Sequence, residues 1–502
     1  MSRWRLAALV IAVGVVAVAC SPGGPAQPTI TLPAPTSTPP VGTAPTGPED
    51  LPGLVDDLDG VVVQPTDDLV AMVDGADPGT TFLLAPGKHR IEEPIVPKAG
   101  MAFVGLGEAH IDGSEPLGGF RQTADGLWRL DGITRSDVNH GDCIEGYDAC
   151  GFPEDLFVDD IMLWQVTSPD ELARGRWMWD DGGLVMFDDP TSRRVELSRT
   201  TFAFVGDAPE VTIRDLVVEK FATMAQNGAI QAQLPGDGPY GKGWLIENVE
   251  VTGSHGAGIR TGDGTVVRGS YLHRNGQLGI TVSGGTDVLI EDNEIAFNNI
   301  AGFDWGWEGG GAKFTQTLGL VVRGNWSHDN DGPGLWTDID ARNTLYEDNL
   351  VEGNSAPGIF HEISYAAVIR NNTVTGNGVG KDEWLWGAGI LVAASSDVEV
   401  YGNIVTDNGD GIAGIQQDRG EGAFGPYEIR NLWVHDNTVT MTRGQTGIVE
   451  DTGDRRVFTE WNNRFDRNTY LDLGGRRFAW RGRSLDFAGW QAEGLDLDGR
   501  MG

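Results

Sequence analysis

The sequence predicts an all-β chain wound as a parallel β-helix, a solenoid of short stacked coils. Three observations carry this reading. From Val211 onward a unit repeats: an apolar-rich strand, a step, then a glycine opening a second strand. The step residues fall at Leu216, Val249, Ser270, Asn293, Asn325, Asn349, Asn372, Asn403 and Asn437, at spacings of 33, 21, 23, 32, 24, 23, 31 and 34. The short spacings are one coil each, and the longer ones are a coil plus inserted residues. Second, Gly258, Gly279, Gly302, Gly334 and Gly358 each follow their step residue by nine. Third, glycine supplies 73 of 502 residues without a collagen period, which suits a chain of many turns.

A single coil is too small to bury its apolar side, so stacking must supply the core. Asparagine at the step in six coils predicts a ladder of side-chain amides along the axis. An amide both donates and accepts, so each one satisfies a neighbour above and below.

The segments follow in order. Residues 1–20 read as an export signal: Arg3 and Arg5 precede a 13-residue apolar run, Leu6 to Val18, too short to span a bilayer as a mature helix. Ala17-Val18-Ala19-Cys20 resembles a bacterial lipoprotein signal, which implies cleavage before Cys20 and lipid attachment there. Residues 21–50 are rich in Pro, Thr and Gly and read as an extended tether. Residues 51–114 hold a helical cap, Thr66 to Asp74 with Thr66 as N-cap, and the first coils.

Residues 115–200 break the repeat and read as a small β insertion between early coils. They contain Leu156-Phe-Val-Asp-Asp, Arg194-Val-Glu-Leu-Ser, and two alternating apolar runs from Trp177 to Phe187 joined by Asp-Gly, a hairpin signal. Repeats occupy 201–470, and 471–502 form a C-terminal cap in which Phe478, Trp480 and Trp490 close the last coil. Of the three cysteines, Cys143 and Cys150 lie close enough for a disulfide in an oxidising compartment. They lack the partners of a zinc site.

Asp77-Pro-Gly-Thr-Thr-Phe-Leu-Leu-Ala-Pro-Gly-Lys-His, after the capping helix, resembles the start of the pectate-lyase-like right-handed parallel β-helix superfamily. The resemblance runs through the repeats to about residue 470. It implies that fold, and it admits polysaccharide lyases, glycoside hydrolases, epimerases and binding proteins.

Alternation along each strand assigns faces. The outward residues after the glycines are Arg260, Thr281, Asp304, Trp336 and Phe360, and two positions on come Asp338 and Glu362. These two carboxylates should be neighbours on adjacent strands, about 4.8 Å apart. Asp304 falls one coil earlier, and Asp340 follows Asp338 by two. Glu308 and Lys313 lie in an insertion, and alternation turns His361 inward. Trp305, Trp307, Trp336, Trp384 and Trp386, five of 16 tryptophans, fall within 82 residues and suit the flat faces of sugar rings.

Hydrolysis would use Asp338 with Glu362 at a retaining separation, or Asp304 with Glu362 at an inverting one. Elimination or epimerisation would use Lys313 or His361 as base, with Ca²⁺ on Asp304, Asp338, Asp340 and Glu362. A module that only binds glycan is the third possibility. The expected partner is a polysaccharide, the expected state a monomer at the outer face of the cell membrane, held there only by its lipid. A net charge of -37 makes nucleic acid a poor partner.

Overall fold

The computed structural model describes residues 59–502, apart from Asp237, Pro239, Asp382 and Leu473. The signal, Cys20 and the tether lie outside the described residues. The rest is a right-handed parallel β-helix whose coils present three strand columns. One column is a 13-stranded parallel sheet running from Gly87–Arg90 to Arg500–Met501. The other two hold the strands before each step and those after each glycine, such as Val321–Arg323 and Leu335–Asp338. Ile259, Ile280, Ala312, Leu335, Ile359 and Ile390 point inward in strand register and belong to one continuous buried core.

The step asparagines form the expected ladder. Asn325 donates from its backbone N–H and Nδ2 to Asn349 Oδ1 at 3.0 and 3.1 Å, and Asn349 repeats this toward Asn372. The ladder runs from Asn293 to Asn468 and ends on Asp496, whose carboxylate accepts from Asn468, Tyr470 and the Trp490 indole. A second ladder stands at the next corner: Asn275, Asn298, Asn330, Asn354, Asn377 and Asn408, each five residues after a step. This ladder explains the glycine column. A Cβ on Gly334 would lie 2.7 Å from Asn354 Nδ2 and 2.8 Å from the Gly358 carbonyl.

The glycine register needs one correction. The residue stacked between Gly279 and Gly334 is Gly311, because Ile280 pairs with Ala312 and Ala312 with Leu335. Gly302 belongs to a loop inserted before the strand. The outward residue of that coil is therefore Lys313, not Asp304.

The N-terminal helix spans Leu69–Gly75, and Asp68 rather than Thr66 caps it, accepting from Ala71 N–H at 3.0 Å. Thr66 falls in the preceding turn, which Asp67 closes by accepting from Gln64 N–H at 2.8 Å. At the other end Phe478–Trp480 turns back on Arg483–Leu485, and Trp490 packs fully buried against Phe465, Phe478 and Trp480.

Between early coils, Ser114–Leu117, Leu156–Val158 and Val195–Ser198 join one small antiparallel sheet. The hairpin pairs Arg176–Asp180 with Gly183–Met186 in a second one. The two share a core around Trp177, Leu184 and Leu197. Buried ion pairs fasten this insertion to the solenoid: Glu196 receives Lys220 at 2.5 Å and is also paired with Arg90.

Candidate active site

On the outer face of the strands after the glycines lies a cleft of about 780 Å³. Trp336 and Phe360, paired in register, stack as its floor with centroids 5.4 Å apart. Trp305, Trp384 and Trp386 come from the two insertions and line its walls. Trp307 does not: it turns away to pack on Phe303 and His140. Lys381 and Glu383 add charge to one rim, and Lys381 lies 5.2 Å over the Trp305 ring.

Asp338 and Glu362 end the strands Leu335–Asp338 and Ile359–Glu362, whose register places them side by side in the cleft. Both are nearly buried, at 5% and 6% exposure. Their settings differ. Asp338 Oδ2 lies 3.1 Å from Lys313 Nζ, and Oδ1 accepts from Ile339 N–H at 2.9 Å. Glu362 Oε1 accepts from Arg419, and Oε2 has no partner among the described residues. Burial pushes the Glu362 carboxyl up, the neighbouring Asp338 charge adds to this, and Arg419 and Lys313 act against it. The pair thus combines an acid inclined to keep its proton with a carboxylate facing an ammonium.

The backbone turns sharply after each of the two acids. Ile339 and Ile363 have φ of 47° and 33°, a left-handed conformation that β-branched residues adopt only under constraint. Gln316 and Ala394, which follow Thr315 and Ala393 in the neighbouring coils, share this turn with φ of 55° and 45°, so it is a repeating corner of the solenoid.

Lys313 is heavily engaged. Besides Asp338 it donates to the Trp307 carbonyl at 3.1 Å, lies 3.9 Å from Glu308, and sits 3.8 Å over the Trp336 ring. Glu308 is buried and accepts from Gln226 at 2.7 Å. Arg419, absent from the sequence expectations, arrives on the loop after Asp410–Gln416. Asp340 holds that loop, accepting from Ala423 N–H at 2.9 Å and Tyr427 hydroxyl at 2.8 Å, so it braces the site and is not turned to substrate.

Two further expectations are corrected. His361 points into the core, fully buried, with Nδ1 2.6 Å from Thr337 Oγ1. Burial holds its pKa down to about 3, so it is a neutral core residue out of reach of the cleft. Asp304 caps the short helix Trp305–Glu308, accepting from Gly306 N–H at 2.8 Å, and does not line the cleft. The four carboxylates proposed for Ca²⁺ are therefore not gathered. Among the described residues no group of three or more His, Cys, Asp or Glu side chains is arranged to hold a metal.

Cys143 and Cys150 form a disulfide, and its loop supports the wall of the cleft. Cys143 pairs with Phe303, Ile144 N–H donates to the Gly302 carbonyl, and Asp304 N–H donates to the Asp142 carbonyl. These bonds seat the segment that carries Trp305 and the Trp307 carbonyl. Replacing both cysteines by serine should loosen this wall, read as faster amide hydrogen exchange at Ile144 and Asp304, whose N–H groups make these bonds. A thermal melt should still show a folded solenoid.

Comparison with known proteins agrees with this architecture. Residues 240–405 match the family described as the right handed beta helix region. Among solved structures, the complex of XylC with xylose superposes with a TM-score of 0.62 at 14% identity, covering 83% of this chain and 82% of that one. The A-module of the Azotobacter vinelandii mannuronan C-5 epimerase AlgE6 gives 0.48 at 15% identity, covering 86% and 92%. No curated protein matches in sequence. At these identities the likeness is one of fold, a right-handed parallel β-helix.

Proposed function

We propose that this protein is a retaining glycoside hydrolase, with Glu362 as acid and base and Asp338 as nucleophile. The observation that carries the reading is the adjacent pair with unlike surroundings. Neighbouring strands lie about 4.8 Å apart, a spacing compatible with the roughly 5–5.5 Å carboxyl separation of retaining enzymes.

The steps follow from the positions. A sugar ring lies on the Trp336–Phe360 floor, between the indoles of Trp305, Trp384 and Trp386. Glu362 gives its proton to the glycosidic oxygen as the bond to C1 breaks. Asp338 forms a bond to C1 from the opposite face. Water then attacks C1, Glu362 takes its proton, and Asp338 leaves as carboxylate. Lys313, 3.1 Å from Asp338, orients the nucleophile, and Arg419 steadies the Glu362 charge after proton donation. The superposed XylC–xylose complex makes xylosides natural first substrates to try. A lipid on Cys20 would hold the enzyme at the outer membrane face, where polysaccharide fragments arrive.

The test is a panel of aryl glycosides, aryl xylosides included, with the first-formed sugar followed by NMR. Retention of the anomeric configuration is expected. Asp338→Ala, inactive alone, should form a glycosyl azide of opposite configuration when azide is added. Inversion, or no release from any member of the panel, would sink the proposal. Oligosaccharide binding without release would mark a binding module instead.

A further inference from the structure

The cleft does not stop at Lys313. The outward row that forms its floor continues N-terminally in register, from Phe360 through Trp336 and Lys313 to Thr281 and Arg260. The parallel row runs from Asp338 through Thr315 to Ser283. Along both rows the chemistry changes, from aromatic and carboxylate to hydroxyl and cation.

Over these polar positions lies a second hollow of about 230 Å³, lined by Gln226, Arg260, Thr281, Ser283, Lys313 and Gln316 among others. Lys313 lines this hollow and links it to the first cleft, since its ammonium lies 3.8 Å over the ring of Trp336, which lines that cleft. Arg260 stands three strands from Trp336, about 14 Å along the axis. That is a span of a few sugar units.

The guanidinium of Arg260 is left incomplete by the protein. It gives one hydrogen bond, from Nη1 to the Gln226 carbonyl at 2.7 Å. Its Nε is buried without a partner. Among the described residues no carboxylate lies within ion-pair distance of it. The one acid lining this hollow, Glu308, is already bonded to Gln226 and lies 3.9 Å from Lys313, while Lys313 pairs with Asp338. A partly desolvated cation without a counter-charge is costly, and a planar carboxylate from a ligand offsets that cost. The hydroxyls of Thr281, Ser283 and Thr315 beside it suit the hydroxyls of a sugar ring.

We propose that this hollow is a subsite for a carboxylated sugar, with Arg260 binding the carboxylate. The substrate class is then an acidic oligosaccharide, cut at a neutral unit some sugars away from its charged one. This deepens the hydrolytic reading but rests on other residues.

The experiment measures binding by calorimetry in the Glu362→Gln variant, with and without Arg260→Gln. The probes are two matched pairs: xylotetraose with and without one glucuronic acid, and cellotetraose with and without one C6 carboxylate. The acidic member of at least one pair should bind tenfold or more tighter than its neutral partner. Arg260→Gln should erase that preference, whereas Arg260→Lys should keep part of it. Equal affinity within both pairs, a preference that survives Arg260→Gln, or no binding of any probe would overturn the subsite. Hydrolysis of an aryl glycoside by the Arg260→Gln single variant reports separately on the carboxylate pair. Release there with no acidic preference would refute the subsite alone. Acidic preference in a protein that never cleaves would refute hydrolysis alone.

Discussion

Glu362→Gln should lower turnover of a glycoside with a poor leaving group by about 10²- to 10⁴-fold, the usual contribution of a positioned proton donor. The same change should barely slow glycosylation from a dinitrophenyl glycoside, whose leaving group needs no proton. Asp338→Asn should abolish turnover of both. This contrast separates the two carboxylates by role, and steady-state kinetics on the paired substrates reads it.

The pH profile gives a second measure of Glu362. Burial and the Asp338 charge raise its pKa, so the wild type stays protonated further toward neutral pH than an ordinary glutamate. Activity should fall as pH rises through that raised value, and the glutamine variant should lose this limb. Stability carries the same sign. A carboxyl raised in the folded state favours folding fully below its unfolded pKa, and that contribution is lost as pH rises through the folded one. His361 acts oppositely. Its pKa is depressed to about 3, so its contribution is full above the unfolded imidazole range and shrinks as pH falls toward 3.

The largest expected loss of stability is in the second ladder. Asn354 Oδ1 accepts from Asn330 N–H at 3.1 Å and from Asn330 Nδ2 at 2.9 Å. Its own Nδ2 donates to the Ser327 carbonyl at 3.0 Å and to Asn377 Oδ1 at 2.8 Å. All of these groups are buried, so Asn354→Ala strands polar partners on both sides. At about 1–3 kcal/mol for each group left unsatisfied, the cost should be about 2–5 kcal/mol, read from urea unfolding monitored by circular dichroism. An exposed control such as Asn139→Ala should change little.

Most of the solenoid could be read from the chain because its physics repeats. The step asparagines recur at coil spacing, and their hydrogen bonds demand it. The second ladder was equally visible, at Asn298, Asn330, Asn354, Asn377 and Asn408, five residues after each step. The Gly302 assignment failed at an insertion. The 32-residue spacing from Asn293 to Asn325 shows that residues are inserted, but spacing alone does not say on which side of the glycine.

The site was legible where it sits on strands and not where it sits on loops. Alternation put Asp338 beside Glu362 and turned His361 inward. It had no hold on Arg419, which reaches Glu362 across 57 residues from a loop outside the register. Asp340 looked like a substrate ligand because it follows Asp338 by two, yet a φ of 59° takes it out of the strand and toward Tyr427.

The carboxylate that closes the first ladder has a meaning for the length of the molecule. Each amide in the row hands a donor to the next coil, so a row of asparagines alone would always present a free N–H to whatever stacks on it. Asp496 takes two hydrogen bonds from Asn468 through Oδ1 and has no donor to pass on. Its other oxygen is filled by Tyr470 and Trp490. The chain thus carries its own punctuation. A second copy meeting this end finds no side-chain donor left in this row to continue it.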